Sequence, residues 1–425
     1  MFKLFVFDLD NTLIPSNELE EFRGASNVNN SSSVFETPLI AKIKCANIQP
    51  LITTAILNNI LDIYPDAKFA IFTTAPRFYA AVLVSYFYPS FTWCSIIGFE
   101  DVEKTKPSPL GIFEACIKAD LKDSDDLKYV AIIGDSEKDI KAAYQAGCWS
   151  VLYLPAWPAK YAPEHWRAFN LLPDITVKNA EDLVEALKSP HEYLLALESE
   201  ITVPQTASSF QSTKTMNARR FCSLPDVKDS VTIKVMGRMF AEYQELDLRR
   251  EWHELTTQIH AHKDAITFPI AWIAALRNVI SHDLTTRSVQ NFFKKTKDST
   301  IITCIPRKPN REARLEHLIE QLHQSHDEKP ISNEDMAFNS EILRFKDGAK
   351  SHHKEHLNAQ ERFKNARDNL EVAMPNAVKG KIVLVIDDVL TSGATFYYAA
   401  KYLKDAGAKE VVSLALTQTI SAGSW

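Results

Sequence analysis

The sequence predicts an α/β protein made of two doubly wound units, and three observations carry that expectation. Short apolar runs alternate with helical periodicity over the first part of the chain, a polar Ser/Thr-rich tract interrupts the pattern near Thr202, and a second set of apolar runs follows it. A chain of 425 residues is also too long for one compact core, so two domains are the default and a third is admitted.

In the first unit, β-branched or aromatic runs at Leu4–Phe7, Phe69–Phe72, Ser95–Phe99, Tyr129–Ile133 and Ser150–Leu154 read as buried strands. Helical spacing lies between most of them, at Pro50–Tyr64, Pro109–Ala119 and Asp139–Ala146. Continuous apolar strands separated by helices describe a parallel sheet covered on both faces. A last pair, Asp174–Val177 and Ala180–Leu187, completes the unit.

From Thr202 to about Ser223 the residues suit a linker. Helical segments at Met239–Thr256 and Ile270–Val279 then lead to strands at Thr300–Ile305, Lys381–Ile386 and Glu410–Leu416. The charged, His-rich stretch Lys346–Asn358 reads as a surface loop. The expected organisation is a first domain over 1–190, a linker over 191–225 and a second domain over 226–425.

Composition excludes several classes. Hydrophobic residues are 45% and charged residues 24% of the chain, which is ordinary for a folded protein, and 11 glycines argue against a collagen-like or repeat architecture. A net charge of −6 argues against general nucleic-acid affinity, although a local basic patch stays open. Cys45, Cys94, Cys116, Cys148, Cys222 and Cys304 form no C-x-x-C pair, so isolated thiols in a reducing compartment are expected. Met1–Phe7 is apolar but meets Asp8 and Asp10 too early for a signal-peptide core, and no run is long enough to span a bilayer. A cytoplasmic location without membrane attachment is expected, and composition leaves a homo-oligomer open.

The first chemical constellation begins where the first strand ends, at Phe5-Val6-Phe7-Asp8-Leu9-Asp10-Asn11-Thr12-Leu13. Ligand crevices of parallel α/β sheets form at the carboxyl ends of strands. Two neighbouring carboxylates repel, and hard oxygen ligands at this density suit Mg²⁺. Three more segments follow near expected strand ends. Ala70-Ile71-Phe72-Thr73-Thr74 offers a hydroxyl and backbone donors. Lys104-Thr105-Lys106-Pro107 offers an ammonium, and Gly134-Asp135-Ser136-Glu137-Lys138-Asp139 offers two carboxylates at i and i+4. Any one of these alone reads as an ordinary turn or surface charge; their occurrence together and in order points to phosphate chemistry.

Over residues 1 to about 190 these segments resemble the four motifs of the haloacid dehalogenase (HAD) superfamily. The resemblance implies a Rossmann-like phosphatase domain in which Asp8 is the nucleophile and Asp10 the general acid and base. It implies that Thr73 and Lys106 hold the phosphoryl oxygens. It also implies that Asp8, the Asp10 carbonyl and Asp135 ligate Mg²⁺, with Asp139 in support. Only Ile14 to about Ile48 is available for the cap that such domains usually carry, so a minimal cap and an open site are expected.

The second constellation is Val383-Leu384-Val385-Ile386-Asp387-Asp388-Val389-Leu390-Thr391-Ser392-Gly393-Ala394-Thr395, which opens the expected helix Phe396–Ala406. Hydroxyls and backbone amides at a helix start suit a terminal phosphate, and two acids just before them suit a sugar diol. The run resembles the phosphoribosyl-pyrophosphate (PRPP) motif of type I phosphoribosyltransferases. That implies ribose contacts from Asp387 and Asp388, and phosphate contacts from Thr391, Ser392, Gly393, Ala394 and Thr395. Outside this run, the second half is similar to the ComF-like branch. Ile301–Lys308 resembles its first-strand segment, which makes Arg307 and Lys308 candidates for a pyrophosphate loop, and Leu357–Asn365 resembles its R-x-x-N helix. Lys350, His352, His353 and His356 crowd the preceding loop, where pyrophosphate contact and a plain solvated loop both remain open.

The reading preferred from sequence is a bifunctional enzyme of nucleotide or ribose-phosphate metabolism: a Mg²⁺-dependent phosphatase joined to a PRPP-type phosphoribosyltransferase. Its ligands would be a phosphorylated small molecule and PRPP or a nucleotide. Two others stand beside it. The second domain is a phosphoribosyl or nucleotide sensor that gates the phosphatase, or the chain is a stress or phage-defence effector that acts on nucleotides.

Overall fold

A computed structural model describes residues 2–24, 33–202, 212–225, 227–262, 265–291, 299–309, 311–332, 335–350 and 357–422. The chain forms two compact units. The first contains Met1–Tyr193 together with Phe240–His253 and Ser421–Trp425; the second contains Leu194–Met239 and Glu254–Ile420.

Six parallel strands make the sheet of the first unit: β1 (Leu4–Phe7), β2 (Lys68–Phe72), β3 (Ser95–Ile97), β4 (Val130–Gly134), β5 (Trp149–Tyr153) and β6 (Ile175–Val177). Their spatial order is β3-β2-β1-β4-β5-β6. That order reverses at β1, so the crevice of a doubly wound sheet opens at the carboxyl ends of β1 and β4. Every residue of β1, β4 and β5 is buried, which is why these strands read as unbroken apolar runs.

Side chains cap some of the helices, and prolines precede others. α1 (Ser33–Cys45) lies in the segment available for a cap. Thr53 caps α2 (Thr54–Ile63) by accepting from the Ile56 N–H, and α3 (Arg77–Phe87) and α4 (Leu110–Lys118) follow prolines. α5 (Glu137–Gln145) starts two residues before its expected position because Ser136 and Asp139 form a capping box. α6 (Pro163–Asn170) and the Asn179-capped α7 (Ala180–Lys188) complete the layer.

The expected helix Met239–Thr256 is not continuous. It is replaced by β9 (Arg238–Phe240), a 3-10 turn at Gln244–Leu246, a single helical turn at Asp247–Arg250 and a separate helix Glu254–Ala261. Tertiary contacts in the first unit override the local helical pattern. Arg249, 1% exposed, pairs with Asp174, donates to the Cys148 carbonyl at 2.9 Å and lies 3.8 Å over the Trp252 ring. The Trp252 N–H donates to the Gly147 carbonyl at 2.8 Å.

The second unit carries a mixed sheet of β7 (Met216–Phe221), β8 (Ser230–Val235), β10 (Thr300–Cys304), β11 (Met336–Phe338), β14 (Ile382–Leu390) and β15 (Glu410–Ile420). The order is β11-β10-β14-β15-β8-β7, with β9 added beside β15. Along the order from β11 to β8 the neighbours are parallel, while β8 and β7 run antiparallel. β12 (Leu343–Phe345) and β13 (Leu370–Val372) form a separate antiparallel pair.

The tract read as a linker thus contains structure: a helix over Ala196–Thr202 and strand β7. β7 alternates exposed and inward residues and has only Ala218 fully buried, so its composition is that of an edge strand and resembles a polar linker. The four cysteines Cys116, Cys148, Cys222 and Cys304 are buried, and all six thiols are free. No helix among the described residues is long and apolar enough to cross a membrane.

Candidate functional site

In the first unit, the candidate side chains gather near the carboxyl ends of β1, β2 and β4. Asp8 leaves β1, and its N–H donates to the Ile133 carbonyl of β4 at 2.8 Å. Lys106, whose side chain is 2% exposed, donates from Nζ to Asp8 Oδ1 at 2.5 Å and to Asp139 Oδ1 at 2.7 Å. Carboxylate oxygens of Asp8, Asp135 and Asp139 all lie within 4.8 Å of one another. Asp139 is held by the start of α5: the N–H and the hydroxyl of Ser136 donate to its Oδ2 at 3.0 and 2.5 Å. The Asp135 carbonyl accepts from the Trp157 indole N–H at 2.8 Å.

Asp10 belongs to a second group of contacts. Its carboxylate accepts from the Tyr79 hydroxyl at 3.0 Å and the Thr73 hydroxyl at 3.5 Å, with the Arg23 guanidinium 3.7 Å away. Asn11, with φ 61°, turns the chain just after it. Among the expected metal residues, the side chain of Asp10 therefore stands outside the acidic triad, and the resemblance had assigned only its carbonyl to the metal.

The charges explain one another. Burial pushes the Asp8 carboxyl up to about 7, and Asp139 and Asp10 push the same way against the pull of Lys106. Burial also raises Asp135 well above the usual carboxylate range, helped by Asp8 and Asp139. Burial alone would lower Lys106, but Asp139 and Asp8 outweigh it and hold the ammonium above its ordinary value. Two buried acids and one half-buried acid crowd one ammonium, and all their donors are hard oxygens.

In the second unit, β14 runs through both expected ribose acids before it ends at Leu390. Asp387 accepts the Asp388 N–H at 2.9 Å and is pushed well above the usual carboxylate range by burial, then by Asp388. Asp388 is paired with Arg314, and its carbonyl accepts the Thr417 hydroxyl at 3.0 Å. Gly393, with φ +77°, caps the helix Ala394–Asp405, a backbone conformation that favours glycine. The Ser392 hydroxyl accepts from the Ala394 N–H at 3.4 Å, and the Thr391 hydroxyl accepts from Arg362 at 3.1 Å.

Arg307 and Lys308 lie in a different cavity, an open cleft of about 890 Å³ also lined by Arg311 and Arg344, whose described lining does not include Asp387, Asp388 or residues 391–395. The Lys350 carbonyl accepts from Lys308 at 2.7 Å. His352, His353 and His356 lie outside the described residues.

Residues 336–421 match the family model described as phosphoribosyl transferase domain. The second unit carries a phosphoribosyl transferase domain. Its residues 387–395 are the strand end and loop described above. A comparison with curated proteins returns no match.

Solved structures similar to this chain cover a little under half of it. A phosphate complex of CbbY from Rhodobacter sphaeroides is 17% identical, covers 43% of this chain and 96% of its own, and has a TM-score of 0.34. A protein titled a predicted phosphoglycolate phosphatase from Haemophilus somnus is 19% identical over 43% of this chain and 97% of its own, with a TM-score of 0.32. A HAD-superfamily hydrolase from Ehrlichia chaffeensis is 19% identical over 44% and 97%, with a TM-score of 0.29.

Sequence reading missed Tyr79, Arg23, Trp157 and Arg314. An aromatic inside an apolar helix, such as Tyr79, carries no signal that separates it from core packing. Trp157 did carry one, since it stands in an aromatic-rich segment just after β5, at the same edge of the sheet as Asp8.

Proposed function

We propose that the first unit is a phosphomonoester hydrolase working through a covalent aspartyl-phosphate. The observation that carries this reading is the buried contact of Lys106 with both Asp8 and Asp139, beside Asp135. In the proposed reaction, Asp8 attacks phosphorus and the bond to the leaving oxygen breaks, while Asp10 gives that oxygen a proton. Asp10 then takes a proton from water, which attacks phosphorus, and the bond to Asp8 breaks. The Tyr79 hydroxyl orients the Asp10 carboxylate throughout, and Thr73 and Lys106 face the phosphoryl oxygens. Asp8, Asp135 and Asp139 fit Mg²⁺, because a hard cation relieves crowded carboxylate oxygens, two of which, on Asp8 and Asp135, resist ionisation. Bound there, Mg²⁺ would supply charge neutralisation at the phosphoryl oxygens.

The second unit is read as a site for a 5-phosphoribosyl group, with the phosphate on residues 391–395 and the ribose at Asp387 and Asp388. Together the two units make a bifunctional protein of nucleotide or ribose-phosphate metabolism. A sensor reading of the second unit has one observation in its favour: Asp388 is already engaged by Arg314, so a bound ribose must compete for that carboxylate.

Two assays test these readings. Phosphate release from a panel of sugar phosphates and nucleotides should require Mg²⁺ and vanish in Asp8→Asn; release that persists overturns the hydrolase reading. For the second unit, PRPP binding with pyrophosphate release in the presence of a base supports a transferase, and binding without release supports the sensor.

A further inference from the structure

Two arginines with no carboxylate partner among the described residues meet at Thr391, the first residue of the proposed phosphate loop. Arg220, on edge strand β7, donates from Nε to the Thr391 carbonyl at 3.3 Å. Arg362, on the helix Ala359–Asn369, donates from Nη1 to the Thr391 hydroxyl at 3.1 Å. Their other hydrogen bonds go to backbone carbonyls, from Arg220 to Arg219 at 3.4 Å and from Arg362 to Leu357 at 2.9 Å. Arg314, in contrast, is neutralised by Asp388.

Arg220 is held against the loop. β7 is zipped to β8 over its full length, with Arg220 opposite Val231. A Cβ placed on Gly393 would lie 2.8 Å from Cβ and Cγ of Arg220, so the loop and this side chain are in close contact. Partial burial pulls the guanidinium below its ordinary value with no acid to compensate. A cation withdrawn from water without a counter-charge is unfavourable, and an incoming anion removes that penalty. The guanidinium fork also matches the geometry of a phosphate.

We infer that Arg220 is a binding residue for the dianionic phosphate monoester seated on residues 391–395, where it acts with Arg362. The inference rests on the reading of the second unit as a phosphoribosyl site. It goes beyond that reading because Arg220 lies outside the residues that match the phosphoribosyl transferase family. The consequence is that the antiparallel strand β7 completes the anion site. The ligand is then selected for a full phosphate dianion, since two cations converge on one loop.

The test is calorimetric titration of the full chain with ribose 5-phosphate, in Mg²⁺-free buffer and an Asp8→Asn background so that no hydrolysis intrudes. Arg220→Gln should weaken binding about tenfold or more, the loss expected for a charge-assisted hydrogen bond. Arg219→Gln is the control; Arg219 is exposed on the same strand and bonds Ser230. It should leave the affinity unchanged. Equal affinity in Arg220→Gln and the parent overturns the inference while the phosphoribosyl reading survives. No binding by the parent chain sinks that reading itself. Should Arg220→Gln fail to fold, phenylglyoxal labelling of the parent decides: ribose 5-phosphate, and not ribose, should protect Arg220, and labelling unaffected by the ligand overturns the inference.

Discussion

Lys106 is the residue on which the first site turns. It pairs with two buried carboxylates at once, so Lys106→Met leaves Asp8 and Asp139 facing each other without their ammonium partner. Removal of one partner from a buried ion pair costs about 3–5 kcal/mol. Phosphate release should be lost and the first unit should melt earlier; a variant with ordinary turnover contradicts the assigned contacts. Tyr79 gives a milder test. Its hydroxyl bonds Asp10, so Tyr79→Phe should lower kcat by roughly tenfold with little change in stability, as for loss of one oriented hydrogen bond to a charged group. At this scale the sequence was informative where reactive residue types stood just past strand ends, as Asp8, Asp10, Thr73 and Asp135 do, and where Lys106 and Asp139 followed in the adjoining loop and first helical turn. It was silent on Tyr79 and Arg23, whose types are equally at home in a core or on a surface.

Among the elements, the junction of β4 and α5 and the segment 240–253 have the clearest consequences. A Cβ on Gly134 would lie 2.2 Å from Cγ of Asp139, so that close approach fixes where the α5 capping box sits. Gly134→Ala should displace Asp139 and reduce phosphate release strongly, and the crystal structure of the variant would show the shift. Arg249 pairs with Asp174, whose side chain is 0% exposed, so a chain ending at residue 193 strands a buried carboxylate. The isolated 1–193 fragment should therefore be unstable by about 3–5 kcal/mol relative to the same unit in the full chain, as read by urea unfolding. A fragment as stable as the parent contradicts that assignment. These features also mark where legibility ended. Buried parallel strands announce themselves as apolar runs. The helix expected at Met239–Thr256 failed because its Arg249 and Trp252 answer to partners distant in sequence, and β7 went unseen because an edge strand need bury only one face.

For the molecule as a whole, the two units unfold as separate cooperative bodies only if each carries its own core, and the second has one around Trp272, Leu276 and Leu318. Its stability should carry a pH signature from Lys214. Burial, with help from Arg238 and against Glu198, lowers that ammonium to about 8. The unfolded chain then binds more protons than the folded one between about pH 8 and the ordinary lysine value, so this group makes stability rise with pH across that window. The urea midpoint of the second unit should gain less between pH 8 and pH 10 in Lys214→Met than in the parent; an identical change contradicts the assignment. Domain class was readable from sequence, and the candidate residues of the two centres stood out as short segments: four scattered between Asp8 and Asp139 in the first, and one continuous run from Asp387 to Thr395 in the second. The extent of each unit was not, since Phe240–His253 joins the first unit from within the second half of the chain.

The central claim is that phosphate passes through the Asp8 side chain. Borohydride quenching during turnover with Mg²⁺ and a hydrolysed phosphomonoester, followed by peptide mass mapping, tests it most directly. Reduction confined to Asp8 and dependent on substrate is the expected result. Steady turnover with Asp8 unmodified, or with the label on another residue, would contradict it.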